Sequence, residues 1–326
     1  PEADPGAERT EGPERAEERT MMETNRKEEA GAFTLEGARY RREPEGILLE
    51  QAADTEEVRI PDEIEGEPVR WAAPYAFART RAVRIELPPH MEKIGNYSFY
   101  RCFGLRSLSF SDALMDVGSG AFNGCALRKI RIDHYRGEKS SLKFLVDELR
   151  YALCVTLVYH RADGREEEAR ILFPEHYEEA VENTPARIVE THYHGSGGDY
   201  RQCFYDRELN FAEYDRLFPR AVAEESREDA LQLAALRLCW PYRLAEEARK
   251  RYEAYLRDHM SCAGKVYVEQ GDLHMLRFFG EAGYWDREAL EAAVDAAAKK
   301  KEAEMLGFLM DERRRLFPGK KKVFEL

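Results

Sequence analysis

Residues 94–102 have the sequence IGNYSFYRC, and residues 117–125, which begin 23 positions later, have the sequence VGSGAFNGC. Both copies place an aliphatic residue and a glycine before a phenylalanine, and a cysteine three positions after it. An earlier phenylalanine, Phe77, precedes Phe99 by 22 residues. A fixed period in this range predicts a solenoid, in which each unit buries its apolar face only against its neighbours.

Four short apolar segments recur with nearly the same period and are predicted to be strands. Neighbouring side chains of a strand point to opposite sides, so the two outer residues of each segment should face the core and the central one should face outward. The segments are Val58-Arg59-Ile60, Ile85-Glu86-Leu87, Leu108-Ser109-Phe110 and Ile130-Arg131-Ile132.

The repeated segments, together with the pairs Ile60-Pro61 and Leu87-Pro88, give residues 33 to about 134 their family resemblance. This region resembles the BspA-like leucine-rich repeats. The resemblance implies a curved solenoid with a parallel sheet along one face. One departure is the segment Trp71-Ala72-Ala73, which stands where the repeat consensus has an isoleucine and a glycine.

The resemblance also implies a ligand surface, because leucine-rich repeats usually bind partners on the exposed sheet. Basic residues flank a polar centre on this predicted surface. The alternative is a face that is merely solvated. The outward residues are Arg59, Arg84, Glu86, Ser107, Ser109, Lys129 and Arg131.

The three phenylalanines are predicted to stack as a spine inside the solenoid. Cys102 and Cys125 occupy the same position in consecutive units, and neighbouring strands lie about 4.8 Å apart, within reach of a disulfide. A pair of buried thiols is the preferred interpretation, since free cysteine packs well in protein cores. The six cysteines contain no CxxC pair, and in a reducing compartment they are expected to be free.

Composition limits the classes of partner. The 326 residues carry a net charge of −13, which argues against a general binder of nucleic acid or of anionic membranes. No apolar stretch is long enough for a membrane span, and none resembles a signal peptide. The expected location is therefore the cytoplasm as the chain stands, with export possible if a signal sequence precedes Pro1.

The predicted fold class is α+β, with a short leucine-rich-repeat solenoid, a small α+β cap and an all-α domain of helical hairpins. The expected order is a disordered acidic tail at 1–31, the solenoid at 32–134, the cap at 135–208, the helical domain at 209–317 and a basic tail at 318–326. In the cap, residues 142–151 have helical spacing, and Ala162-Asp163-Gly164 signals a hairpin turn between two strands.

Helices are predicted at about 227–239, 244–258, 272–281, 286–298 and 302–314. Asn210 with Glu213, and Ser226 with Asp229, resemble capping boxes that start helices. Residues 302–309 repeat the pattern of 272–279 at a separation of 30. This part weakly resembles ankyrin-like helical hairpins, although the characteristic turn motif is absent.

The stretch from His192 to Cys203 contains the most site-like residues outside the repeats. Two histidines at alternate positions of a strand point to the same side. The metal hypothesis joins His192 and His194 with Asp199 or Cys203 as zinc ligands. A second hypothesis has the backbone amides of the glycines hold an anion that Arg201 pairs with. The third interpretation is a tight connection with no bound ligand.

No catalytic motif is present, and no cofactor is expected. The leading hypothesis is a non-enzymatic scaffold for protein–protein interaction, whose partner is another protein rather than nucleic acid or a membrane. The alternative is a metal- or anion-binding protein, or an enzyme, with its site between His192 and Cys203.

Overall fold

A computed structural model describes residues 31–183 and 188–318, with side chains except those of residues 178–193. The tails predicted at 1–31 and 318–326 lie outside these ranges apart from Gly31 and Pro318. None of the helices described is long and apolar enough to span a membrane.

The strands are β1 (Ala32–Leu35), β2 (Ala38–Glu43), β3 (Gly46–Gln51), β4 (Glu57–Arg59), β5 (Glu63–Ile64), β6 (Glu67–Ala72), β7 (Arg84–Glu86), β8 (Lys93–Ile94), β9 (Ser107–Ser111), β10 (Asp116–Val117), β11 (Lys129–His134), β12 (Leu153–His160), β13 (Glu166–Phe173), β14 (Tyr177–Asn183), β15 (Ile188–His194), β16 (Phe204–Tyr205) and β17 (Glu208–Leu209). The helices are α1 (Leu142–Glu148), α2 (Gly197–Tyr200), α3 (Phe211–Arg216), α4 (Phe218–Glu224), α5 (Arg227–Cys239), α6 (Glu246–Asp258), α7 (Met260–Gln270), α8 (Leu273–Glu281), α9 (Arg287–Lys300) and α10 (Ala303–Leu316).

Two sheets enclose the core of the solenoid. Sheet A has the order β1-β2-β3-β6-β8-β10, with β5 paired to β6, and its strands from β3 onward are parallel. Sheet B has the order β13-β12-β11-β9-β7-β4, and its strands from β4 to β12 are parallel. This architecture confirms the α+β class and the predicted solenoid.

The phenylalanine spine forms as predicted. The ring centroids of Phe77 and Phe99 lie 4.7 Å apart, those of Phe99 and Phe122 lie 5.1 Å apart, and all three residues are buried. Cys102 and Cys125 are buried free thiols, and each donates to the carbonyl oxygen of the phenylalanine one unit earlier. The neighbouring Cys102 thiol raises the pKa of Cys125, and burial raises it further.

The glycines of the repeat lie where consecutive units touch through their backbones. A Cβ atom on Gly95 would lie 2.4 Å from the amide nitrogen of Pro74, and one on Gly118 would lie 2.3 Å from that of Asn96. Ala73 occupies the equivalent position in the first unit, next to β3, where the β3–β6 pairing has a register shift. The departure from the repeat consensus, with Ala73 in place of glycine, therefore lies in the first unit of the stack.

Sheet B continues beyond the predicted end of the solenoid at residue 134. β12 pairs in parallel with β11, and β13 returns antiparallel to β12 through the predicted hairpin. The division between solenoid and cap stays a prediction, but the hydrogen-bonded sheet crosses it. α1, predicted from helical spacing at 142–151, ends at Glu148.

The five helices predicted with bounds in the C-terminal part are present, and their bounds agree with the predicted ones to within about two residues at each end. α3 follows the predicted cap Asn210, whereas α4 and α7 were not predicted. α7, between α6 and α8, was not predicted because it contains Gly264 and the strand-like run Val266-Tyr267-Val268. A Cβ atom on Gly264 would lie 2.9 Å from the ring of Trp285, so the glycine permits close packing there. Tertiary packing outweighs weak helix propensity at this position.

The helical part has a buried polar centre. Arg237 on α5 forms a bidentate ion pair with Asp215 on α3, at 2.8 and 2.9 Å. The hydroxyl of Tyr252 on α6 donates to the same carboxylate at 2.9 Å. The Asp215 carboxylate thereby links α3, α5 and α6.

The α7–α8 and α9–α10 pairs each turn through a residue in the left-handed conformation, 30 positions apart, at Gly271 and Lys301. Their likeness to ankyrin hairpins stays a prediction.

Candidate functional site

The outer face of sheet B carries a groove of about 530 Å³. Its volume lies within the range of pockets that bind small ligands or short segments. Every residue of the predicted surface lines this groove. They are Arg59, Arg84, Glu86, Ser107, Ser109, Lys129 and Arg131.

Strand register places the polar residues in two rows that cross the strands. The first row runs Glu57–Arg84–Ser107–Lys129, and its part within the groove, Arg84–Ser107–Lys129, is called the basic row here. The second row runs Arg59–Glu86–Ser109–Arg131. The hydrophobic residues between them, such as Ile85 and Leu108, are buried. The alternation predicted from the sequence is therefore present on these strands.

The charged groups of the groove differ in how far they are neutralised. Arg131 binds Asp133 through two hydrogen bonds of 2.8 and 2.9 Å, and this carboxylate raises the pKa of Arg131. Arg59 lies 3.8 Å from Glu86. By contrast, neither Arg84 nor Lys129 forms an ion pair with any side chain that the structure describes. Their charges remain available to a ligand.

One end of the groove contains an aromatic and acidic cluster that the sequence analysis did not identify. The ring of Tyr135 stacks on that of His160, with centroids 4.3 Å apart. His160 lies 2.9 Å from a carboxylate oxygen of Asp133 and 3.1 Å from one of Glu166. These residues come from three strands and the segment after β11. The alignment of β12 with β11 and of β13 with β12 brings them together, and no repeat motif includes β12.

The helical part contacts sheet B at the β13 side. The guanidinium of Arg170, in register with Thr156 of the groove, lies 3.8 Å from the ring centroid of Trp240. α5 packs against β13. The groove is therefore bordered by helices on one side, whereas the first strand of sheet B, β4, is an edge strand on the other.

The glycine-rich stretch after β15 already holds a carboxylate from this chain. Glu225, which follows α4, accepts hydrogen bonds from the backbone amide and the hydroxyl of Ser196, at 2.5 and 2.6 Å. A Cβ atom on Gly197 would lie 2.1 Å from the carbonyl oxygen of Glu175. The glycine there serves close packing, and Glu225 occupies the position expected for an external anion.

Arg201 does not face an anion, which corrects the second hypothesis for this stretch. Its side chain is buried and donates to five backbone carbonyl oxygens, and burial lowers its pKa to about 10. Through these hydrogen bonds, the guanidinium holds the C-terminal end of α1 against the end of β13. The carbonyls belong to Val146, Leu149, Tyr151, Pro174 and Gly197.

The four residues of the metal hypothesis have separate surroundings where their side chains are described. Asp199 pairs with Arg220, and the ring of His194 lies against that of Tyr177. The Cys203 thiol is buried beside the carbonyl oxygen of Asp199, and burial raises its pKa to about 12. The side chain of His192 lies outside the described set. Among described residues, no three His, Cys, Asp or Glu side chains cluster as metal ligands would.

Part of this chain is similar to a known family of repeats. Residues 72–144 match the model of the BspA type leucine rich repeat region, in six copies. The match confirms the resemblance and extends ten residues past its predicted end. No curated protein matches the chain.

Two crystal structures are similar to about a third of the chain. One is a leucine rich cell surface protein from Faecalibacterium prausnitzii, 16% identical over 32% of each chain, with a TM-score of 0.27. The other is a leucine rich repeat protein from T. pallidum, 19% identical over 34% of this chain and 76% of that one, with a TM-score of 0.23. The matched region thus spans about a third of the length of the first protein.

Proposed function

From the leucine-rich repeats at residues 72–144, we propose that the chain is a non-enzymatic binding protein that holds a protein partner in the groove of sheet B. Repeat units of this kind form extended rigid surfaces, and such surfaces usually act by binding. The observation that carries the proposal is the convergence of all seven outward residues on one groove, with two unneutralised cations among them.

The proposal depends on the groove being used, so the experiment places a reporter inside it. A photo-crosslinking amino acid replaces Ser109 in the full chain, which is expressed in the cells that naturally make it. After irradiation, we expect one discrete adduct whose mass exceeds that of the chain by the mass of a protein. The matched control carries the same reporter at Ser119, an exposed serine outside the groove.

A second variant tests the charges of the groove. Arg84→Glu combined with Lys129→Glu is expected to lower the yield of the Ser109 adduct at least tenfold. If the Ser119 reporter gave the same adduct, or if the charge reversal left the yield unchanged, the groove would not be the binding surface and the proposal would be wrong.

A further inference from the structure

We propose that the partner presents an acidic, extended segment whose carboxylates are three residues apart, and that this segment crosses the strands along the basic row. The inference rests on the proposed function and names the chemistry of its partner.

The first support is the charge distribution. The chain has a net charge of −13, yet the groove contains four cations and three carboxylates. Two of these carboxylates, Asp133 and Glu86, already have basic neighbours within the groove. The unneutralised cations both lie on the basic row, where an acidic ligand gains electrostatic attraction without breaking an existing ion pair.

The second support is hydrogen-bonding capacity at the centre of both rows. Ser107 and Ser109 are half-buried, and neither hydroxyl has a hydrogen-bond partner among the described residues. A hydroxyl donates readily to a carboxylate. Ser107 lies between Arg84 and Lys129, so a carboxylate above this row meets cationic donors on both sides and a hydroxyl between them.

The third support is the spacing of the cations. Arg84 and Lys129 are two strands apart, which corresponds to about 9.6 Å between their backbones. A polyproline II segment rises about 3.1 Å per residue and repeats every three residues, so its carboxylates at every third position point the same way about 9.3 Å apart. An extended β-type segment instead repeats every two residues, at about 6.7 Å. The groove matches the polyproline II spacing.

The test uses the full chain and a defined probe, a fluorescein-labelled peptide of sequence EPPEPPE, in a fluorescence anisotropy titration. We expect saturable binding that weakens when salt is raised. The QPPQPPQ peptide should bind at least tenfold more weakly, because it lacks the carboxylates. The EGGEGGE peptide should bind at least threefold more weakly, because flexible glycine residues do not keep the glutamate carboxylates at the spacing of a polyproline II segment.

Matched variants separate the groove from general charge attraction. Arg84→Glu with Lys129→Glu should weaken EPPEPPE binding at least tenfold. Lys265→Glu with Lys299→Glu makes the same change of charge at exposed lysines that do not line the groove, and should change binding less than twofold. Equal loss in both variants, or equal binding of all three peptides, would overturn the inference.

The crosslinking reporter distinguishes this inference from the proposed function. A Ser109 adduct with a protein partner, combined with no binding of EPPEPPE, would overturn the acidic segment and leave the groove as the binding surface. Residues 1–30 of this chain are themselves rich in glutamate. An adduct from Ser109 to those residues of the same chain would overturn the external acidic partner.

Discussion

At the scale of single residues, Gly95 and Gly118 determine how closely the units of the solenoid stack. Each lies where a side chain would enter the backbone of the preceding unit, at 2.4 and 2.3 Å from its nearest atom. Neither glycine has a positive φ. The requirement for glycine is therefore space rather than backbone conformation, and backbone atoms yield less readily than a flexible side chain.

Gly118→Ala is expected to lower the free energy of unfolding by about 2 kcal/mol or more, because the added methyl forces two consecutive units apart. The measurement is chemical denaturation followed by circular dichroism. Gly137→Ala is the matched control, since a Cβ atom at Gly137 meets no atom within 4 Å. We expect it to change stability by less than about 0.5 kcal/mol. Equal effects of the two substitutions would contradict this account.

The seven outward residues of the groove could be predicted from sequence because their positions follow from alternation along short strands. Arg59 and Arg131, for example, are each flanked by two apolar residues, so their outward direction follows from the pattern alone. Glu225 could not be linked to Ser196 in the same way. Their hydrogen bonds join residues 29 positions apart through a fold with no repeat at that point.

At the scale of elements, the last unit of the solenoid is closed by a side chain of α1. In earlier units the amide of each spine phenylalanine donates to a backbone carbonyl of the next unit, from Phe77 to Ser98 and from Phe99 to Ala121. Phe122 has no following unit of this kind. Its amide donates instead to the carboxylate of Glu148, at 3.1 Å. α1 thus substitutes for a missing unit.

Glu148→Ala is expected to reduce the free energy of unfolding by about 1 kcal/mol, because the amide of Phe122 loses its acceptor. Glu148→Gln keeps an acceptor oxygen and should restore most of the loss. Thermal denaturation of the three proteins measures the difference. Asp147→Ala, which removes an exposed ion pair with Lys143, should have a smaller effect than Glu148→Ala. A larger effect of Asp147→Ala would show that Glu148 is not the cap.

The helices illustrate what local pattern can and cannot predict. Ser226 is the N-cap of α5, and its side chain accepts a hydrogen bond from the amide of Asp229. The bounds of this helix follow from the sequence because the cap and the apolar spacing agree. α7 has no side-chain cap and contains a glycine and β-branched residues. It is helical because Gly264 packs under Trp285 and Tyr267 packs on Phe279, contacts that a sequence does not display.

At the scale of the whole molecule, the solenoid and the helical part share one continuous core. The rings of Tyr159 on β12 and Tyr242 after α5 stack at 4.3 Å. The hydroxyl of Tyr242 accepts from Arg161 at 2.8 Å and donates to Glu138 at 2.9 Å. Residue 241 also pairs with the edge of β13. Buried residues of both parts therefore belong to one hydrophobic cluster, and the domain boundaries stay predictions.

We expect the chain to unfold in one cooperative transition. The chain has three tryptophans, Trp71, Trp240 and Trp285, so variants that keep only Trp71 or only Trp285 report on the two parts separately. Their fluorescence should give the same midpoint of denaturation. Tyr242→Ala should lower both midpoints together, corresponding to about 3 kcal/mol for a buried aromatic side chain. Two distinct midpoints in the parent chain would contradict the shared core.

The edge strand β4 and the helices beside β13 mark the two limits of sheet B, in which the repeat units contribute β4, β7, β9 and β11 and the β12–β13 hairpin follows them. An added or deleted unit of 22–23 residues changes the length of the groove by one strand spacing, about 4.8 Å. Each such unit also carries its own pair of outward side chains. The recognition surface is thus modular: its reach changes in discrete steps, and the chemistry of each step is encoded locally by two residues of a single strand.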